Sequence, residues 1–187
     1  VTETLTAPLT DREALPVELV DAAGRAVGAC PVAEAHRAPG LLHRAFSVLL
    51  FDDEGRVLLQ QRAAVKTRFP LLWANTCCGH PAPGEPVDVA AGVRLDEELG
   101  LATALTEVGV FRYQATDPAT GRVEHEWDHV LVGMLNGERP RLDPAEVATV
   151  AWVAPDQLRA RMESVPGDYT PWLGDVLRIA LVGRAVQ

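Results

Sequence analysis

The chain has 187 residues, 48% of them hydrophobic, and a formal net charge of -9. That length suits one domain with its own core, and the acidity argues against holding a nucleic-acid backbone by bulk charge. No apolar run approaches the roughly 20 residues that span a bilayer. The opening VTETLTAPLTDREALP lacks a secretory pattern, and three cysteines, two adjacent, make no disulfide framework, so a reducing cytoplasm is the expected compartment.

Residues 1–15 carry no apolar period and read as a flexible N-terminal segment, leaving 16–187 as one domain. Val17–Val20, the turn Asp-Ala-Ala-Gly and Arg25–Cys30 read as a hairpin. A short helix or irregular link over 33–42 contains His36 and ends at Pro39-Gly40. Ala45–Phe51 and Arg56–Arg62 are strands joined by Asp-Asp-Glu-Gly. Residues 63–72 form a loop, Trp73–Cys78 a short strand, and Gly79–Glu85 another loop. Pro86–Leu99 reads as a helix with an apolar stripe of Val89, Val93 and Ala90, stopped by Gly100. Glu107–Ala115, Arg122–Leu135 and Val147–Val153 are strands, and Pro155–Met162 is a short helix. Thr170-Pro171 reads as N-cap and first position of a helix from Trp172 to about Ala185. The expected fold class is α/β (α+β): a mixed sheet between helices in a single domain.

Three places carry candidate chemistry. In Glu124-His125-Glu126 on a strand, the two glutamates share one face. They suit either a solvated face or a site with a cation or proton between them. His36 and His43, taken alone, are ordinary surface or hydrogen-bonded histidines. His80 follows a strand in a tight loop beside Gly79. Three imidazoles with two carboxylates would suit Mn, Mg, Fe or Zn, and no CxxC pair indicates structural zinc. Cys77 and Cys78 alternate faces, so one belongs in the core and the other, by parity Cys78, faces the loop.

The segment Gly79–Leu101 resembles the Nudix box, with Gly79, Glu85, Leu95, Glu97, Glu98, Gly100 and Leu101 on its fixed positions. Val93-Arg94 stands where Nudix hydrolases carry Arg-Glu, so a cation replaces a metal-binding carboxylate. Leu42–Phe46, Gln61–Ala63, Trp73–Pro81, Phe111–Tyr113, Glu124–Glu126 and Pro171-Trp172 narrow the likeness. Together they resemble the type I isopentenyl-diphosphate isomerases of the Nudix superfamily. The resemblance implies a Nudix-type fold and the interconversion of isopentenyl and dimethylallyl diphosphate in isoprenoid biosynthesis. It implies Cys78 and Glu126 as proton donor and acceptor, with Tyr113 assisting. Metal ligands would be His36, His43, His80, Glu124 and Glu126, holding Mn2+ or Mg2+ (Zn2+ being a further fit). Arg62, Lys66 and Arg94 would bind the diphosphate, Glu98 its Mg2+, and Trp172 would face the developing cation, although a helix-start core tryptophan fits that position equally. A lysine usual in the family is replaced by Val32. The only partner implied is a small prenyl diphosphate, with neither nucleic acid nor membrane. Hydrolysis of a nucleotide or prenyl diphosphate is the competing reading.

Overall fold

The computed structural model describes residues 12–185. A short 3-10 turn, Arg12–Ala14, precedes a hairpin of β1 (Pro16–Val20) and β2 (Ala26–Pro31). A loose segment is expected over 1–15, yet Arg12–Ala14 is tied down. Arg12 pairs with Glu97 at 2.6 Å and Glu13 with Arg68 at 2.7 Å. Residues 1–11 lie outside the described part. The single helical turn α1 (Val32–Ala35) then leads to β3 (His43–Phe51) and β4 (Val57–Arg62).

β3 and β4 leave their turn touching only at Phe51↔Val57 and then separate. The chain from 73 to 79 fills the gap. The one strand expected over Trp73–Cys78 is two, β5 (Trp73–Ala74) on β4 and β6 (Cys77–Gly79) on β3. Asn75 and Thr76 make the crossing because their side chains replace a ladder. Thr76 Oγ1 donates to Leu58 O at 2.6 Å and accepts the Leu50 amide at 2.9 Å. Asn75 Nδ2 donates to Val48 O at 3.2 Å and Cys77 O at 2.9 Å.

The remaining elements are α2 (Val87–Leu99), β7 (Thr106–Thr116), β8 (Val123–Met134), β9 (Val147–Val153), α3 (Pro155–Ser164) and α4 (Leu173–Arg184). β8 runs parallel to β3 from His43↔Glu126 to Phe51↔Met134, and β7 lies antiparallel on its other side. β9 pairs antiparallel with β4. The result is a mixed sheet with a core on each face. Phe46, Val48, Leu50 and Cys77 pack with Leu95 and Leu99 of α2, whereas Leu49, Phe51 and Leu59 pack with Leu173, Val176 and Leu177 of α4. Burying each such leucine contributes roughly 1.5–3 kcal/mol over leaving it in water. The α+β class and single domain agree with expectation.

Two helices differ from their expected form. Val89 and Val93 of α2 are each 52% exposed, while Ala90, Ala91, Arg94, Leu95 and Glu98 turn inward. The alanines let the helix approach the sheet, and the inward charges neutralise each other as an Arg94–Glu98 pair. At α4 the N-cap is Trp172, not Thr170. The Thr170 amide is spent on Trp73 O at 2.9 Å, which draws this segment into a bridge beside β5 and delays the helix.

Candidate active site and metal centre

Strand register assembles a compact donor cluster. Glu126 of β8 lies opposite His43 on β3 and Tyr113 on β7. Glu124, two residues earlier, shares its face, and both side chains are buried. His36 ends α1, and its carbonyl accepts the Val123 amide at 2.9 Å, which docks it beside the start of β8. His80 leaves β6 directly after Gly79. A Cβ on that glycine would lie 2.7 Å from Phe46 Cζ, so only glycine lets β6 come this close. His36, His43, His80, Glu124 and Glu126 thereby place one donor atom each within 4.8 Å of one another.

The donors fit a divalent ion. Nδ1 of His36 lies 2.8 Å from Val32 O, and Nδ1 of His43 lies 2.8 Å from Leu41 O. Those carbonyls can only accept, so both rings carry a proton on Nδ1, and Nε2 is the nitrogen that faces the cluster. The buried Nε2 of His43 has no hydrogen-bond partner and stands 3.6 Å from Glu126 Oε1. His80 Nε2 reaches the same oxygen at 3.0 Å, and His36 Nε2 reaches Glu124 Oε2 at 2.8 Å.

Burial works against ionisation of Glu126, yet the facing imidazoles of His43 and His80 hold its carboxyl well below the usual range. Glu124 is also held low against burial and its twin's charge, by His36 and Arg68. Burial pushes the His80 ring down to about 4, which leaves it neutral and suited to ligation.

His80, Glu124 and Glu126 of this cluster line a cavity of about 430 Å3, and Cys78, Tyr113 and Trp172 line it as well. Cys78 turns from the α2 core, where Cys77 is sealed, toward the α4 side, as parity predicts. Its sulfur lies 3.2 Å from Asn75 Oδ1, and burial pushes the thiol up to about 12, so it is protonated at neutral pH. The Tyr113 hydroxyl donates to Glu126 Oε2 at 2.6 Å, and burial beside that carboxylate raises the phenol well above its ordinary value. Trp172 packs tilted on Tyr113 with ring centres 5.6 Å apart and edge-on to Phe69 at 5.3 Å.

The cavity is also lined by Arg62, Lys66 and Arg94. Arg62 holds the 63–72 loop through the carbonyls of Phe69 at 3.0 Å and Arg68 at 2.9 Å, and its guanidinium stands 5.8 Å from the Trp172 ring centre. Lys66 pairs with Glu146, and Arg94 reaches that carboxylate at 3.2 Å. Glu98 stands apart from the five-donor cluster. It is buried, paired with Arg94, and accepts a hydrogen bond from Gln60 Nε2 at 2.9 Å.

Several site residues escaped the sequence reading. Asp128 continues the Glu124-Glu126 face by the same two-residue step; it is fully buried and accepts the Ser47 hydroxyl at 2.8 Å. Burial, then the charge of Glu126, pushes its carboxyl well above the usual range. Arg68 donates to Glu124 Oε1 at 3.1 Å and also binds Glu13, linking the cluster to the N-terminal turn. Glu146 gathers Lys66, Arg94 and Arg12. The two-residue period could have found Asp128; no local pattern marks Arg12, Glu13 or Glu146.

A family model for the NUDIX domain matches residues 41–173. An isopentenyl-diphosphate Delta-isomerase from Nocardia farcinica is 74% identical over 166 residues, 89% of this chain and 94% of that protein. The chain belongs to the isopentenyl-diphosphate Delta-isomerase family of NUDIX proteins. Members from Streptomyces griseus and Halorhodospira halophila are 47% and 46% identical, over 90% and 83% of this chain and 84% and 89% of theirs. A crystal structure of DR0079 from Deinococcus radiodurans superposes with a TM-score of 0.71 at 19% identity, covering 87% of this chain and 97% of that one. A MutT protein from Methanosarcina mazei gives 0.61 at 15% identity, covering 74% and 93%. Both share the fold. Family membership agrees with the resemblance carried by the Cys-Gly-His-Pro and Glu-x-Glu segments.

Proposed function

We propose that the protein interconverts isopentenyl diphosphate and dimethylallyl diphosphate, a step of isoprenoid biosynthesis, by protonation and deprotonation through a tertiary carbocation. The alkene is unactivated, so a proton donor and an acceptor must face different carbons of one held substrate. The observation that carries the reading is one cavity lined by both the protonated thiol of Cys78 and the ionised carboxyl of Glu126. Cys78 and Glu126 exchange protons with the substrate, and Tyr113 steadies the Glu126 carboxyl through its hydroxyl. The Trp172 face stands against the cation, a contact of about 0.5–2 kcal/mol and more where water is excluded.

His36, His43, His80, Glu124 and Glu126 would hold Mn2+ or Mg2+, with Zn2+ also matching the donors, and the ion would supply positive charge that tunes the proton affinity of Glu126. Arg62, Lys66 and Arg94 are the proposed diphosphate ligands. Lys66 and Arg94 must leave Glu146 for it, an exchange favoured by the greater charge of a diphosphate. Glu98 is the carboxylate proposed for the Mg2+ that accompanies the diphosphate.

Hydrolysis is not favoured, because Arg94 occupies a position for a metal-binding carboxylate and engages Glu97 and Glu98. Among the described residues no helix is long and apolar enough to cross a membrane, and a cytoplasmic location is proposed. The test is incubation with isopentenyl diphosphate, Mg2+ and Mn2+ in heavy water. Deuterium in dimethylallyl diphosphate is expected. Released orthophosphate would mean a hydrolase, and an unchanged substrate a metal-binding module without turnover.

A further inference from the structure

Asn75 occupies the junction between β5 and β6 and is fully buried. Its amide orientation is fixed by chemistry. Two carbonyls, Val48 O at 3.2 Å and Cys77 O at 2.9 Å, face its Nδ2, and a carbonyl can only accept. Oδ1 therefore points the other way and is an acceptor. Two donors converge on it: the Cys78 thiol, with Sγ at 3.2 Å, and the Trp172 indole, with Nε1 at 3.1 Å. Those donors come from distant parts of the chain, one on β6 and the other capping α4.

The alternative partner for the thiol is weaker. Ser47 Oγ, whose own proton goes to Asp128 Oδ2 at 2.8 Å, could accept from the thiol, but it lies 3.8 Å from Cys78 Sγ against 3.2 Å for Asn75 Oδ1. The shorter contact to Asn75 therefore sets where the thiol proton points.

We infer that Asn75 is a positioning residue: its one carbonyl oxygen sets the orientation of the Cys78 thiol and couples it to the indole of Trp172. This rests on the proposed isomerase chemistry, in which both partners line the cavity. An oxygen that accepts two hydrogen bonds gives less to each than it gives to one. Any shift of Trp172 as its face meets the substrate is then felt by the Cys78 proton. Asn75 is not among the residues that line the cavity, so it acts through these two side chains.

The test reads the thiol directly, by infrared difference spectroscopy of the S–H stretch, with Cys78→Ala identifying the Cys78 band. Trp172→Phe keeps an aromatic ring and removes one of the two donors, so the Cys78 band should move to lower frequency. Asn75→Leu removes the acceptor, so the band should move to higher frequency. In Asn75→Leu, kcat should fall on the order of 10²-fold, the scale of a displaced reacting group, with KM within a few-fold. Should Asn75→Leu not fold, the Trp172→Phe arm decides alone. A Cys78 band unmoved in Trp172→Phe overturns the inference, as does a shift in the opposite sense. Turnover by the parent protein is measured separately, so loss of the coupling and loss of the isomerase reading remain distinct results.

Discussion

Replacing Tyr113 with Phe isolates one hydrogen bond. The Tyr113 hydroxyl donates to Glu126 Oε2 at 2.6 Å, and its ring stacks on Phe111 with centres 5.4 Å apart and lies against Trp172 at 5.6 Å. Phenylalanine keeps both ring contacts and deletes only the donor. A hydrogen bond to an ionised group contributes about 1.5–3 kcal/mol. At about 1.36 kcal/mol per tenfold in rate, that is about 10-fold to 150-fold if the bond is fully used in the transition state. The diphosphate cations are untouched, so KM should hold while kcat falls by that factor. The assay is steady-state conversion of isopentenyl diphosphate, paired with a thermal melt. A kcat within twofold of the parent would refute the role given to the hydroxyl. So would a fall in kcat matched by a collapse in Tm, because the loss would then be one of folding.

Cys78→Ala and Glu126→Gln should each lose turnover by orders of magnitude while circular dichroism stays that of the parent; near-normal turnover in Cys78→Ala would remove the thiol from proton transfer. Glu146→Gln should be destabilising at neutral pH, because it strips a partly buried counter-charge from Lys66 and Arg94, a loss below the roughly 3–5 kcal/mol of a fully buried pair. Burial works against the ionised Glu146, but Lys66 and then Arg94 hold its carboxyl below the ordinary range. Its contribution is therefore present above the unfolded value and lost as pH falls through the folded one, so the Tm gap between parent and variant should close in acid. A gap that widens in acid would contradict that sign. Gly79→Ala drives a Cβ to 2.7 Å from the buried Phe46 ring, and should lose about 1–3 kcal/mol of stability together with metal affinity at the adjoining His80. Unchanged chemical denaturation and unchanged Mn2+ binding would show that the strands can part without consequence.

What could be read from the chain was what depends on strand parity and turn chemistry. Alternation along β8 puts Glu124 and Glu126 together, and alternation at Cys77-Cys78 assigns one sulfur to the core and the other toward the following loop. The same rule extends to Asp128, whose burial was not foreseen because a third carboxylate on one strand face reads as solvated. α2 misled for a related reason. Val89 and Val93 form the obvious apolar pair, but the helix buries Arg94 and Glu98, which are tolerable inside only as partners. That pairing has no signature in a hydrophobic pattern. The break at Asn75-Thr76 was also hidden, since side chains stand in for ladder hydrogen bonds between strands that have already diverged. Arg12 and Glu13 acquire their place only through residues such as Arg68 and Glu146, far away in sequence.

The account depends most on five side chains from four separate segments enclosing one divalent ion beside the Cys78 and Glu126 cavity. Crystals equilibrated with Mn2+, with anomalous scattering recorded at the manganese edge, examine this without relying on turnover. One anomalous peak is expected, bounded by the Nε2 atoms of His36, His43 and His80 and by carboxylate oxygens of Glu124 and Glu126. Empty density among those five donors, or manganese held instead at Glu98 alone, would contradict it.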